Sequence, residues 1–273
     1  MLWLLPALPA ACGALLLAVR RAPRAASVTV AAITLGLACW AAVARPRVTT
    51  RFVFESGLAV DGLSAVMVVT VAAVALAVLV FAAGELREAR FHGLMLLFVG
   101  AMLLTVTATD LVMLLMGWEV MGAMSYALIA YWWRDGSRVR AGTISFVTTR
   151  TGDLGLYFAA GAALLGGGSL ALDRLSGDLV IAGIVLAALG KSAQLPFSFW
   201  LSRAMAGPSP VSALLHSATM VAAGAYLLLR LQPLLHATGW AAPLVAWLGV
   251  LTALLLGAVA LAQRDLKQLL AAS

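Results

Sequence analysis

From Leu2 to Ala262 the chain repeats one pattern, an apolar run of roughly twenty residues followed by a short polar break. A run of that length crosses the hydrocarbon of a bilayer as a helix. Nine are expected, near 2–19, 27–44, 62–83, 93–108, 110–131, 141–165, 178–202, 210–230 and 241–262. Inside a bilayer each must satisfy its own backbone donors and acceptors, which leaves a bundle of helices as the fold. The chain is 63% hydrophobic and 11% charged, too little polar surface for a soluble domain of 273 residues. The expected class is therefore an all-α polytopic membrane protein. A net charge of +7 raises nucleic-acid binding as a question. The basic residues are scattered between apolar runs, however, which is the pattern of anchoring at a lipid surface, and no nucleic acid is expected.

The breaks carry their own signals. Residues 45–61 form the most polar connection, and the alternation from Val48 to Phe54 suits a short surface hairpin. Asp61 precedes an apolar run as a helix cap would, and Gly166–Gly168 ends the sixth run. Cys12 and Cys39 sit in apolar runs without CxxC spacing and read as packing residues. No basic segment precedes Leu2–Leu17, so that stretch is expected to be a retained first helix. With the N-terminus outside, eleven Lys and Arg fall in inner loops and five in outer loops, among them Arg20, Arg21 and Arg24 on the inner side. The positive-inside rule then favours an external N-terminus.

Charges within the runs point to function. Lys191 interrupts an apolar run near its middle, and Pro196 follows five residues later, where a helix should kink or break. Glu119 lies mid-run with Gly122 and Tyr126 on its face, and Arg150 and Asp153 are spaced to pair on one helix. His216 lies in the run after Gly207-Pro208-Ser209-Pro210. Ionisable residues at this depth usually face a polar interior and serve transport. Burial drives a lysine towards neutrality and a nearby carboxylate drives it back, so moving Glu119 relative to Lys191 would load and release a proton. His216 would be a next carrier, with Ser192, Gln194, Ser212 and Thr219 holding water along the way. Structural readings stand beside these: a permanent Glu119–Lys191 bridge, a self-satisfied Arg150–Asp153 pair, and a packing histidine bonded to Ser212 and Ser217.

Residues Gly190-Lys191-Ser192-Ala193-Gln194-Leu195-Pro196, then Trp200-Leu201, then Ala204 through His216 resemble the antiporter-like, proton-pumping membrane subunits of NADH:quinone oxidoreductase (complex I), specifically the subunit L or mitochondrial subunit 5 family. Mrp antiporter and membrane-bound hydrogenase subunits are relatives. Trp118-Glu119 with Ser125-Tyr126, Arg150 with Gly152-Asp153, and Asp265 through Ser273 extend the match. The resemblance implies proton transfer by Glu119, Lys191, His216 and Lys267, with Arg150, Asp153 and Asp265 as modulating charges. It implies about nine transmembrane helices here: leading helices in 1–92, one five-helix repeat in 93–230 with a helix broken at Lys191–Pro196, and a ninth helix opening a second repeat in 231–273. Family members have two inverted repeats, so a chain that stops at Ser273 is expected to be partial.

No GxGxxG after a strand, P-loop or iron–sulfur cysteine cluster occurs in the sequence. No cofactor is expected in this chain. NADH, FMN, iron–sulfur clusters and quinone are expected on partner subunits, and the partners implied are other membrane-arm and redox subunits together with the lipid bilayer. The function implied is a non-redox, proton-translocating subunit in a bacterial cell membrane. The alternatives are an Mrp-type Na⁺/H⁺ antiporter subunit and a non-transporting structural or assembly subunit.

Overall fold

In the computed structural model of the protein, residues 1–19, 24–51 and 55–273 are described. The basic Arg20 and Arg21 and the hairpin tip 52–54 lie outside them. Helices α1 (Leu4–Val19), α2 (Arg24–Ala44) and α3 (Gly62–Glu85) lead the bundle, with strands β1 (Arg47–Arg51) and β2 (Glu55–Ala59) between the last two. The strands pair antiparallel from Arg47 opposite Ala59 to Arg51 opposite Glu55, so the expected hairpin is longer than Val48–Phe54. Helix α4 (Ala89–Thr107) is buried on nearly every side. Against it lies α1, where a Cβ on Gly13 or Gly93 would meet the other's backbone. Small residues are what allow helix axes to approach this closely within a membrane. His92, near the start of α4, contacts Ser27 of α2 at 2.9 Å and the Leu86 carbonyl at 2.9 Å.

Two aspartates fix the end of the bundle that carries the hairpin. Asp61 caps α3 by accepting from the Ser64 amide at 2.9 Å. Burial pushes its carboxyl up, but the Ser64 bonds and the Arg230 charge outweigh this and hold it below its ordinary 3.8. Its tie to Arg230 therefore persists at neutral pH and is lost as acid takes the pH down through that lowered value. Asp110, only 1% exposed, caps α5 (Leu111–Ile129) through the Val112 and Met113 amides, both at 3.0 Å. Its second oxygen accepts from the Gly57 amide at 3.1 Å, tying the hairpin to the bundle. Asp110→Ala removes a cap and strands the Gly57 donor. A loss on the order of 2–4 kcal/mol is expected, read as a lower melting temperature in detergent. A melting curve unchanged from wild type would remove Asp110 from this role.

Helix α6 (Gly136–Gly167) is 32 residues long and ends at Gly168 in a left-handed conformation (φ 66°), within the expected glycine run. Helix α7 (Asp178–Lys191) is followed by α8 (Phe199–Ala204) and α9 (Ser209–Ala213). A π-helical segment (Leu214–Thr219) runs on into α10 (Met220–Arg230). The chain finishes through α11 (Gln232–Ala237), α12 (Ala241–Ala262) and α13 (Leu266–Ala272).

Among the described residues six helices are long and apolar enough to cross a membrane: 25–44, 62–85, 89–107, 111–129, 209–230 and 241–262. The nine expected spans thus reduce to six by length and composition, for three physical reasons. Helix α1 has 16 residues, α6 carries Arg138, Arg140, Arg150 and Asp153, and the expected 178–202 run stops being helical at Lys191.

Candidate functional site

The site is built on a glycine contact. Gly152 and Gly155 of α6 face Gly190 and Gly183 of α7, and a Cβ on Gly155 or Gly183 would strike the other's carbonyl oxygen. This close approach lets two residues 38 apart in sequence meet in the buried centre. Asp153, 1% exposed, receives a hydrogen bond from Lys191, 0% exposed, with Nζ 3.3 Å from Oδ2. Lys191 is also the last residue of α7, where the negative end of the helix dipole favours a cation.

Charges extend from this pair in a row. Arg150, one turn before Asp153, places Nη2 3.4 Å from the same Oδ2 and pairs at its other side with Glu119 of α5. The row therefore reads Glu119–Arg150–Asp153–Lys191, and with every member ionised its net charge is zero. The expected Arg150–Asp153 pairing is present. Glu119 reaches Lys191 only through Arg150 and Asp153, because the carboxylate touching Lys191 is that of Asp153. Gly122 shares Glu119's face as expected, and it leaves space that the Arg150 guanidinium fills. Tyr126 stacks obliquely on Phe146, over which Arg150 also lies at 5.0 Å. Oε1 of Glu119 and Nε of Arg150 are buried without a hydrogen-bond partner among the described residues.

Trp118 was not anticipated as a site residue. Its indole N–H donates to Asp153 Oδ1 at 2.5 Å, while its ring lies 5.0 Å from the Lys191 ammonium. One side chain thus fixes the carboxylate and cradles the cation. The signal was available in the sequence, since a buried indole N–H needs an acceptor and Trp118 adjoins an intramembrane charge.

After Lys191 the chain turns. Ala193 takes a left-handed conformation (φ 52°), and the freed backbone groups are satisfied by protein, as membrane depth requires. Trp200 donates to the Gly190 carbonyl at 2.8 Å, and the Leu195 amide donates to Thr252 of α12 at 3.2 Å. Ser192 donates to the Val221 carbonyl at 2.8 Å, Thr219 to Leu214 at 2.5 Å and Ser212 to Pro208 at 3.5 Å. His216 stands in the π segment with its ring 5.8 Å from Trp200. Both its ring nitrogens are buried without a partner among the described residues, and Ser217's side chain lies outside them. Lys267 donates to the carbonyls of Met205 (3.2 Å) and Gly207 (2.9 Å), closing the turn after α8, while Asp265 caps α13 through the Gln268 amide at 3.0 Å. The structure thus brings Glu119, Arg150, Asp153 and Lys191 together, places His216 past the break, and gives Lys267 and Asp265 capping contacts at the far end.

Residues 108–273 match the family described as NADH:quinone oxidoreductase/Mrp antiporter, TM. The chain belongs to this family. Over 239 residues it is 40% identical to NAD(P)H-quinone oxidoreductase subunit 5 of the Zygnema circumcarinatum chloroplast, covering 80% of this chain and 34% of that protein. Over 242 residues it is 39% identical to NAD(P)H-quinone oxidoreductase chain 5 of a Picosynechococcus strain, covering 81% and 36%. The chain therefore spans about a third of the length of the curated relatives it matches. Among solved structures it superposes on a chain of the Mrp complex from a Dietzia species with a TM-score of 0.91 and 32% identity, covering 99% of this chain and 32% of that one. On a chain of respiratory complex I from Thermus thermophilus the TM-score is 0.82 at 27% identity, covering 100% and 62%. The NADH:quinone oxidoreductase/Mrp resemblance read from the Lys191 region is thus established at the level of family and fold.

Proposed function

We propose that this chain carries a proton-translocating half-channel of a membrane subunit in a complex-I-like NAD(P)H:quinone oxidoreductase, where it does no redox chemistry itself. The observation that supports this most directly is the sharing of one oxygen. Asp153 Oδ2 lies 3.3 Å from Lys191 Nζ and 3.4 Å from Arg150 Nη2. While Glu119 shares Arg150, Asp153 keeps enough of its charge to hold Lys191 as a cation. When Arg150 moves to Asp153, the ammonium loses its counterion in a site with no access to water, and the proton is driven off towards His216. Redox energy released on partner subunits, which would hold NADH, FMN, iron–sulfur clusters and quinone, would bias Arg150 between the two carboxylates.

This reading goes with nine spans, α1, α6 and the broken α7–α8 segment crossing together with the six apolar helices. The five-helix repeat would occupy 93–230, between leading helices in 1–92 and the opening of a second repeat in 231–273. The N-terminus would face outward from a bacterial cell membrane. A Na⁺/H⁺ antiporter subunit is the second reading, favoured by the TM-score of 0.91 to a chain of the Mrp complex. Sealed native-membrane vesicles oxidising NADH separate the two. Acidification that persists when Na⁺ is replaced by K⁺ is expected, and strict dependence on Na⁺ would replace the first reading by the second. Coupled transport unchanged after removal of both Glu119 and Lys191 would leave a structural or assembly role.

A further inference from the structure

The proposed switch needs Arg150 and Lys191 to compete for Asp153, and a carboxylate does not by itself impose competition. It has two oxygens with about four lone-pair sites, enough to hold one cation on each. An aspartate also turns easily about its last torsion, so it can divide its oxygens between two partners. A carboxylate that held both cations at once would leave Lys191 charged wherever Arg150 stood. Here one oxygen is already engaged. The Trp118 indole N–H donates to Oδ1 at 2.5 Å, while Lys191 and Arg150 both meet Oδ2, at 3.3 and 3.4 Å.

The donor is itself fixed. Trp118 is 0% exposed, and the preceding Gly117 seats α5 against α4, where an added Cβ would lie 2.8 Å from the Ala101 carbonyl oxygen. Trp118 adjoins Glu119 on α5, so neighbouring residues of one helix hold the Asp153 and Arg150 side chains of α6. An indole N–H only donates, so Trp118 orients the exchange without taking part in it.

Resting on the proposed Lys191 carrier, we infer that Trp118 is the positioning residue that makes the two cations compete. By pinning Oδ1 it presents Oδ2 to both, and Lys191 loses on this oxygen what Arg150 gains. Without the indole N–H the carboxylate is free to turn and offer one oxygen to each cation. Lys191 then keeps its counterion and its proton in either position of Arg150, and the carrier no longer discharges.

The test uses the whole complex in sealed native-membrane vesicles, following protons moved per NADH oxidised. Trp118→Phe keeps an aromatic face for the Lys191 ammonium, which lies 5.0 Å from the ring, and removes the donor. The ratio is expected to fall several-fold while NADH:quinone turnover continues. Trp118→His returns a ring N–H on a side chain smaller than phenylalanine, and is expected to recover a substantial part of the ratio. A packing role predicts the opposite order, because histidine leaves the larger void. A wild-type ratio in Trp118→Phe overturns the inference, and so does a Trp118→His no better than Trp118→Phe. Trp118→Met, which fills space flexibly without a donor, takes the place of Trp118→Phe if the phenyl variant does not assemble. Lys191→Met in the same vesicles separates this role from the carrier. If it stops translocation while Trp118→Phe does not, the carrier stands and only the positioning role falls. If Lys191→Met also pumps normally, both fall.

Discussion

Lys191→Met is expected to abolish proton translocation, a loss on the order of 10²-fold or more for a lost proton carrier, while the protein stays folded and inserted. Methionine matches the aliphatic length of lysine in a site with no exposed surface. Removing one partner of a buried pair usually costs about 3–5 kcal/mol because the other is stranded. Here Asp153 keeps the Trp118 indole at 2.5 Å and Arg150 at 3.4 Å, so the fold should survive. Lys191→Arg sharpens the test. Its guanidinium can still pair with Asp153 but cannot give up its proton, so it should preserve assembly and still fail to pump. Pumping at the wild-type rate in Lys191→Arg would make Lys191 a structural cation.

Gly155→Leu is expected to have the largest effect on folding. The Cβ of any side chain there would strike the Gly183 carbonyl oxygen, and backbone on both helices leaves no flexible group to yield. Overpacking typically costs about 1–3 kcal/mol and more where no side chain can adjust. Forcing α6 from α7 would also pull Asp153 from Lys191. Gly161→Leu, on the same helix with nothing within 4 Å of its Cβ, is the control. Equal yields and melting temperatures for the two variants in detergent would mean that the glycine contact does not hold the site together.

What was legible in the sequence were features written in local residues. The cap at Asp61, the glycine stop at Gly168 and the break after Lys191 each follow from a short stretch of chain. The charged residues themselves could also be named, because a charge in an apolar run announces itself. Which carboxylate would meet Lys191 could not be read off. That choice depends on the glycine approach of α6 to α7, which lets Asp153 reach Lys191 and leaves Glu119 on the far side of Arg150. That His216 has no hydrogen-bond partner among the described residues was equally hidden, because Ser212 bonds the Pro208 carbonyl of its own helix instead of the imidazole. Length and composition among the described residues carry six of the nine expected spans and stop short at α6 with its four charges and at α7, which ends at Lys191.

The most direct test concerns Glu119, which does not touch Lys191 and should nonetheless govern it. The quantity to measure is protons moved per NADH oxidised by the intact complex carrying Glu119→Gln, in sealed vesicles. If Glu119 acts by sharing Arg150 with Asp153 and so keeping it from moving fully onto that carboxylate, the ratio falls several-fold while NADH:quinone turnover by the redox subunits continues. A ratio equal to wild type would mean that Glu119 and Arg150 form a static bridge and that Lys191 is not switched through them.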